Sequence, residues 1–184
     1  MEFCSDKHKE FSFQYYLSMQ ILDDRQIRQK IKRLAIEIIE RNFGEPEIIL
    51  AGLNNNGLGF AELLLREITP ILPENMKVAL TRIRLNPANP VAYAPYIEMP
   101  DEQLRGRNII IVDDVANTGR TIFYAVQPLL ALLPRKVEVA VMVDRKHKSF
   151  PIKADYVGLS LHTTLKDNIE VHIRDVDTMS VHLS

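Results

Sequence analysis

Asn108-Ile109-Ile110-Ile111-Val112-Asp113-Asp114-Val115-Ala116-Asn117-Thr118-Gly119-Arg120-Thr121 joins an apolar run, two adjacent carboxylates and a loop of small and hydroxyl residues. The run from Ile109 to Val112 reads as a strand buried on both faces. In an α/β protein such a strand delivers the residues at its carboxyl end to the ligand crevice. Asp113 and Asp114 leave it as paired negative charges, and a helix is predicted to begin near Arg120. Backbone N–H groups at that turn, with the helix N-terminus, make an anion site suited to a phosphate. Gly119 permits a positive φ and a close ligand approach, while Thr118 and Thr121 add hydroxyl donors. Carboxylates for sugar hydroxyls or Mg²⁺, beside a phosphate cradle, point to a sugar phosphate.

The rest of the composition excludes several other classes. The chain has 184 residues, 46% hydrophobic and 26% charged, as expected of one globular domain with a real core. A net charge of −1 gives no global drive toward nucleic acid or an anionic membrane. No transmembrane run or signal peptide is apparent. Cys4 is the single cysteine, which fits a reducing, cytoplasmic compartment. The histidines at 8, 147, 162, 172 and 182 lack metal-ligand spacing and read as structural or surface residues.

Outward from the opening stretch, strand and helix patterns alternate. Residues 24–43 predict a helix with Ile27, Ile31, Leu34, Ala35 and Ile38 on one face. Asp23 or Asp24 can cap its start and Gly44 can end it. A strand is expected at 47–52, a helix at 58–68, a strand at 76–84, and the central strand and helix at 109–133. Further strands follow at 136–143 and 155–161. This order implies a doubly wound parallel sheet with helices on its faces. Pro87, Pro90, Pro95 and Pro100 make residues 85–105 a long loop of the kind used as a lid. Phe11-Ser12-Phe13-Gln14-Tyr15 alternates and could be a strand, within an extension covering residues 1–20.

The opening stretch also carries a resemblance. Val112-Asp113-Asp114-Val115-x-x-Thr118-Gly119-x-Thr121 resembles the signature loop of type I phosphoribosyltransferases, which bind 5-phosphoribosyl-1-pyrophosphate. Val143-Asp144-Arg145 with His147, followed by Pro151-Ile152-x-Ala154-Asp155-Tyr156-x-Gly158, is similar to the bifunctional pyrimidine-operon attenuation regulators and uracil phosphoribosyltransferases. That likeness covers most of residues 21–178 apart from the proline-rich loop. It implies a domain over residues 21–184, a small hood made by flanking segments, a homodimer, and Mg²⁺ as cofactor.

The resemblance also implies three subsites. Ala116, Asn117, Thr118, Gly119, Arg120 and Thr121 would hold the 5′-phosphate. Asp113 and Asp114 would contact the ribose hydroxyls directly or through Mg²⁺, which favours hard oxygen ligands. Asn54, Asn55, Asn56 and Gly57 would form the pyrophosphate loop, where the family often has a cation and this chain has none. A neutral contact in place of a charged one weakens leaving-group binding by about 1–2 kcal/mol. Asp144, Arg145, Lys153, Tyr156 and Val157 would bind the base. The segment from Lys153 is also similar to that of hypoxanthine-type transferases, so both base classes stay open.

The leading expectation is transfer of the phosphoribosyl group to a nucleobase, with uracil favoured. A regulator binding RNA through Arg25, Arg28, Lys32, Arg145, Lys146 and Lys148 is the alternative, although the balanced net charge argues against a large patch. A nucleotide sensor without chemistry is the third reading.

Overall fold

The structure is a computed structural model, described for residues 19–162 and 168–184. The possible strand at Phe11 to Tyr15 lies outside the described residues.

Helix α1 (Asp24–Arg41) starts with a reciprocal cap. Asp23 Oδ1 accepts from Gln26 N–H at 2.8 Å, and Gln26 Oε1 accepts from Asp23 N–H at 2.9 Å. The Asp24 carboxylate instead accepts from Met179 N–H at 3.1 Å, and so ties α1 to the chain's last segment. Asn42, rather than Gly44, closes the helix.

The main sheet contains β2 (Glu47–Leu53), β3 (Lys77–Arg84), β4 (Tyr96–Ile97), β5 (Asn108–Ala116), β6 (Lys136–Arg145) and β7 (Tyr156–Leu161), in the order β4-β3-β2-β5-β6-β7. All neighbours are parallel except β4 on β3. Alternate residues serve opposite faces, as strand pleating requires. Ile48, Leu50, Ile110 and Val112 pack with α1 and α2 (Asn54–Ile68), whereas Ile49, Ala51, Ile109 and Ile111 pack with α4 (Arg120–Ala125) and the turn after it. The doubly wound architecture expected from the sequence is therefore present.

Three elements differ from expectation. The predicted loop at 85–105 contains β4 and the short helix α3 (Asp101–Leu104), because the chain folds back on the edge strand β3. The helix after β5 stops at Ala125 instead of continuing to 133; a tighter turn spans Gln127–Leu129, where Pro128 lacks an N–H for the helical ladder. Helix α2 starts at Asn54, four residues before the predicted start.

A second, antiparallel sheet joins β1 (Met19–Leu22), β9 (Ser180–Leu183) and β8 (Ile169–His172) in the order β1-β9-β8. This is the expected hood. Strand β1 spans the boundary set at residue 20, and Leu22, Ile169, Met179 and Val181 join the core beneath α1 and α2.

Candidate active site

Chain order reverses between β2 and β5: β2 leads outward to β3, and β5 leads the other way to β6. A crevice at the carboxyl ends of two such strands is where open α/β sheets bind ligands. Here it is a cleft of about 420 Å³, lined by Asn54, Asn55 and Asn56 on one side and by Asp113, Asp114, Asn117 and Thr121 on the other. Ile169 from the hood and Pro87 from the proline-rich loop also line it.

Asp113 and Asp114 remain within β5, which runs on to Ala116. Asp113 Oδ1 accepts from Asp114 N–H at 3.0 Å; Asp114 Oδ1 accepts from Val115 N–H at 2.9 Å. Asn56 Nδ2 donates to Asp114 Oδ2 at 3.1 Å and links the two sides of the cleft. Burial, and then the Asp114 carboxylate beside it, push the Asp113 carboxyl well above the usual carboxylate range.

Residues 116–121 make a smaller hollow of about 50 Å³ that adjoins the cleft at Asp113. Its carbonyls are drawn away by one segment. Lys148 Nζ donates to Ala116 O at 2.8 Å and Asn117 O at 2.9 Å, and Ser149 and Phe150 N–H both donate to Thr118 O, at 3.0 and 3.1 Å. Lys148 is itself held by the buried Asp144 at 2.6 Å, and Arg145 Nη1 donates to Asn117 Oδ1 at 3.1 Å. Gly119 adopts a φ of 84° at the entrance to α4. With its carbonyls tied outward, the turn keeps backbone N–H groups for an anion.

The Asn run is the first turn of α2 rather than a loop. Asn54 takes a left-handed φ of 50°, which asparagine tolerates better than most residues. Gly57 lets this turn lie against β5: a Cβ there would sit 2.3 Å from Val112 O.

The five residues expected to bind the base do not line the cleft. Asp144 and Arg145 brace the phosphate turn, and Lys153 is exposed. Tyr156 and Val157 pair with Ala140 and Val141, well before the carboxyl end of β6. The Tyr156 side chain is fully buried; its hydroxyl donates to Glu138 Oε2 at 3.0 Å and accepts from Asn42 Nδ2 at 3.0 Å. This is a core polar network, closed to a base by packing. Tyr156→Phe is expected to lower stability by about 1–3 kcal/mol through the partners left unsatisfied, with the KM for either substrate unchanged. Urea unfolding and initial rates check it; a raised base KM at unchanged stability would return Tyr156 to the base site. Ile169, absent from the residues expected at the site, lines the cleft. The alternation Ile169-Val171-Ile173 was its available signal.

The phosphoribosyl transferase domain profile matches residues 18–174. The chain belongs to the phosphoribosyltransferase family. This phosphoribosyltransferase is 36% identical to the bifunctional protein PyrR of Brevibacillus brevis, with 88% of this chain and 93% of that one covered. It is also 36% identical to the bifunctional protein PyrR of Clostridium perfringens, covering 88% and 94%. Among solved structures, a hypoxanthine-guanine phosphoribosyltransferase of Bacillus anthracis has a TM-score of 0.67 at 19% identity, covering 88% of this chain and 95% of that chain. A hypoxanthine phosphoribosyltransferase of Staphylococcus aureus has a TM-score of 0.64 at 16% identity, covering 79% of each. These two likenesses concern the fold. The family's general substrates are 5-phosphoribosyl-1-pyrophosphate and a nucleobase. Among the described residues, no helix of this phosphoribosyltransferase is long and apolar enough to cross a membrane.

Proposed function

We propose that the protein transfers the phosphoribosyl group of 5-phosphoribosyl-1-pyrophosphate to uracil, giving uridine monophosphate and pyrophosphate. The observation that carries this reading is one cleft bringing together the 117–121 turn, Asp113 with Asp114, and the start of α2. In it the 5′-phosphate lies on the backbone N–H groups before α4, and the ribose hydroxyls meet the two carboxylates. The pyrophosphate lies toward Asn54, Asn55 and Asn56. The base lies on the hood side by Ile169, in place of the segment at 153–157. The bond from the anomeric carbon to pyrophosphate breaks, and the bond to a ring nitrogen forms as that nitrogen loses its proton. Positive charge grows on the ribose between these events, as in glycoside chemistry. The protein's contribution is placement and electrostatics.

Mg²⁺ fits this donor set. Among the described residues no cluster of three metal-ligating side chains exists. Mg²⁺ commonly takes one or two carboxylates and fills its shell with water and substrate oxygens. Asp113 and Asp114 would hold it, and a cation there would offset the burial and the Asp114 charge that raise the Asp113 carboxyl. When bound, it neutralises charge on the diphosphate. A homodimer belongs to the same proposal, with the apolar surface at Val91, Phe123 and Leu130 as the candidate face. Sedimentation checks it, and a monomer at high micromolar concentration would contradict it.

Radiolabelled uracil, hypoxanthine and guanine assayed in parallel test the transfer. Labelled nucleotide from uracil, dependent on Mg²⁺, is the expected result; no turnover with any base by folded protein would refute it. Of the candidate RNA contacts, Lys148 and Lys146 both pair with Asp144, and Lys146 stays exposed.

A further inference from the structure

The amides at the start of α2 are uncharged, but their orientation is fixed by their partners. A guanidinium only donates, so the Asn55 atom 3.0 Å from Arg82 Nη1 is the amide oxygen. Asn54 Oδ1 is likewise taken, by Leu85 N–H at 3.1 Å. With those oxygens occupied by donors, what Asn54 and Asn55 retain for a ligand is mainly N–H. The wall they form therefore favours an anion.

Arg82 stands immediately behind that wall. Its side chain is 20% exposed, and its Nε and Nη2 donate to Glu98 Oε1 at 3.0 and 2.7 Å. Arg84 Nε donates to the same oxygen. Glu98 is positioned by β4, and its N–H donates to Arg82 O at 3.0 Å. Two guanidiniums sharing one carboxylate leave a net positive charge at this corner of the cleft. A cation bonded to an amide oxygen polarises that amide and strengthens its N–H donors.

We propose that Arg82 is a positioning residue for the leaving group: it orients the Asn55 amide with its donors free, and lends them the charge that Asn54, Asn55 and Asn56 lack. The inference rests on the reading of the cleft as a phosphoribosyl pyrophosphate site. An ion pair serving only to fasten β4 to β3 would have no preference between the two phosphate ends of the ligand.

Calorimetry with Mg²⁺-pyrophosphate and, separately, with ribose 5-phosphate tests the difference. Arg82→Gln is expected to weaken pyrophosphate binding about tenfold and leave ribose 5-phosphate binding unchanged. Asn55→Asp retains an ion pair with Arg82, and therefore the fold, but removes the donors and places a negative charge there; its loss for pyrophosphate is expected to be larger. Glu98→Gln leaves Arg82 less neutralised and is expected to tighten pyrophosphate binding several-fold, the opposite of simple loosening. Equal weakening of both ligands in Arg82→Gln, or undiminished pyrophosphate binding in Asn55→Asp, would overturn the role of Arg82. Wild-type protein that binds neither ligand would instead overturn the reading of the cleft, and the inference with it.

Discussion

Asp113→Asn is expected to give a protein that melts higher at neutral pH and reacts far more slowly. The stability effect follows from the raised carboxyl. In the folded state burial, then Asp114, disfavour the charged form of Asp113, whereas the unfolded chain titrates near 3.8. A group shifted in this direction favours folding below the unfolded value, and loses that contribution as pH rises through the folded value. The wild type therefore carries a cost at pH 7 that asparagine does not. The gap in melting temperature between variant and wild type narrows as pH falls toward 4. Mg²⁺ also narrows it at pH 7 by raising the wild type more than the variant, which keeps only Asp114. The catalytic effect has the opposite sign. Hydrogen bonds to a charged group contribute about 1.5–3 kcal/mol each, so kcat/KM falls on the order of 10- to 100-fold. Replacing Asp114 as well is expected to bring the loss to about 10³-fold. Thermal melts across pH, with and without Mg²⁺, and initial rates check this. A variant that melts lower at pH 7, or turns over normally, contradicts the assignment.

Gly57→Ala is expected to destabilise the protein and to misplace the cleft wall at the start of α2. The added Cβ would lie 2.3 Å from Val112 O and 3.0 Å from Leu53 Cβ. Backbone on the crowded side cannot swing aside as a side chain can, so the first turn of α2 must lift from β5. Overpacking of this kind costs about 1–3 kcal/mol or more. That shift displaces Asn54, Asn55 and Asn56 from the two aspartates. Misplacement by about 1 Å lowers catalysis by roughly 10²-fold. Gly59→Ala, one half-turn along, provides the contrast. Its Cβ would meet the Arg174 side chain at 3.3 Å or beyond, and alanine gains about 1 kcal/mol in helix propensity. It is expected to be neutral or stabilising. Urea denaturation of both variants decides the matter; equal stability of Gly57→Ala and wild type would contradict the close approach of α2 to β5.

The sheet was legible in the sequence because its strands are buried on two faces. Runs such as Ile109 to Val112 and Val139 to Val143 leave little alternative to a covered parallel strand. The phosphate turn was legible because its residues are contiguous. The start of α2 was misread for a local reason: three asparagines favour turns, whereas in the fold they make the first turn of α2, which Gly57 lets pack against β5. Tyr156 was misplaced because a motif in one strand does not say which end faces the cleft. Its partners Asn42 and Glu138 come from the end of α1 and from β6. Ile169 was hidden similarly, because it reaches the cleft through the hood. Arg82 meets its partner Glu98 only after the proline-rich loop turns back onto β3.

The central claim is that one ligand spans the cleft from the 117–121 turn to the start of α2. A crystal structure with 5-phosphoribosyl-1-pyrophosphate and Mg²⁺ tests it most directly. The expected complex has the 5′-phosphate on the backbone N–H groups before α4, the ribose hydroxyls toward Asp113 and Asp114, and the diphosphate within hydrogen-bond reach of Asn54 or Asn55. A diphosphate seated on the 117–121 turn, or a ligand held away from the two aspartates, would contradict it.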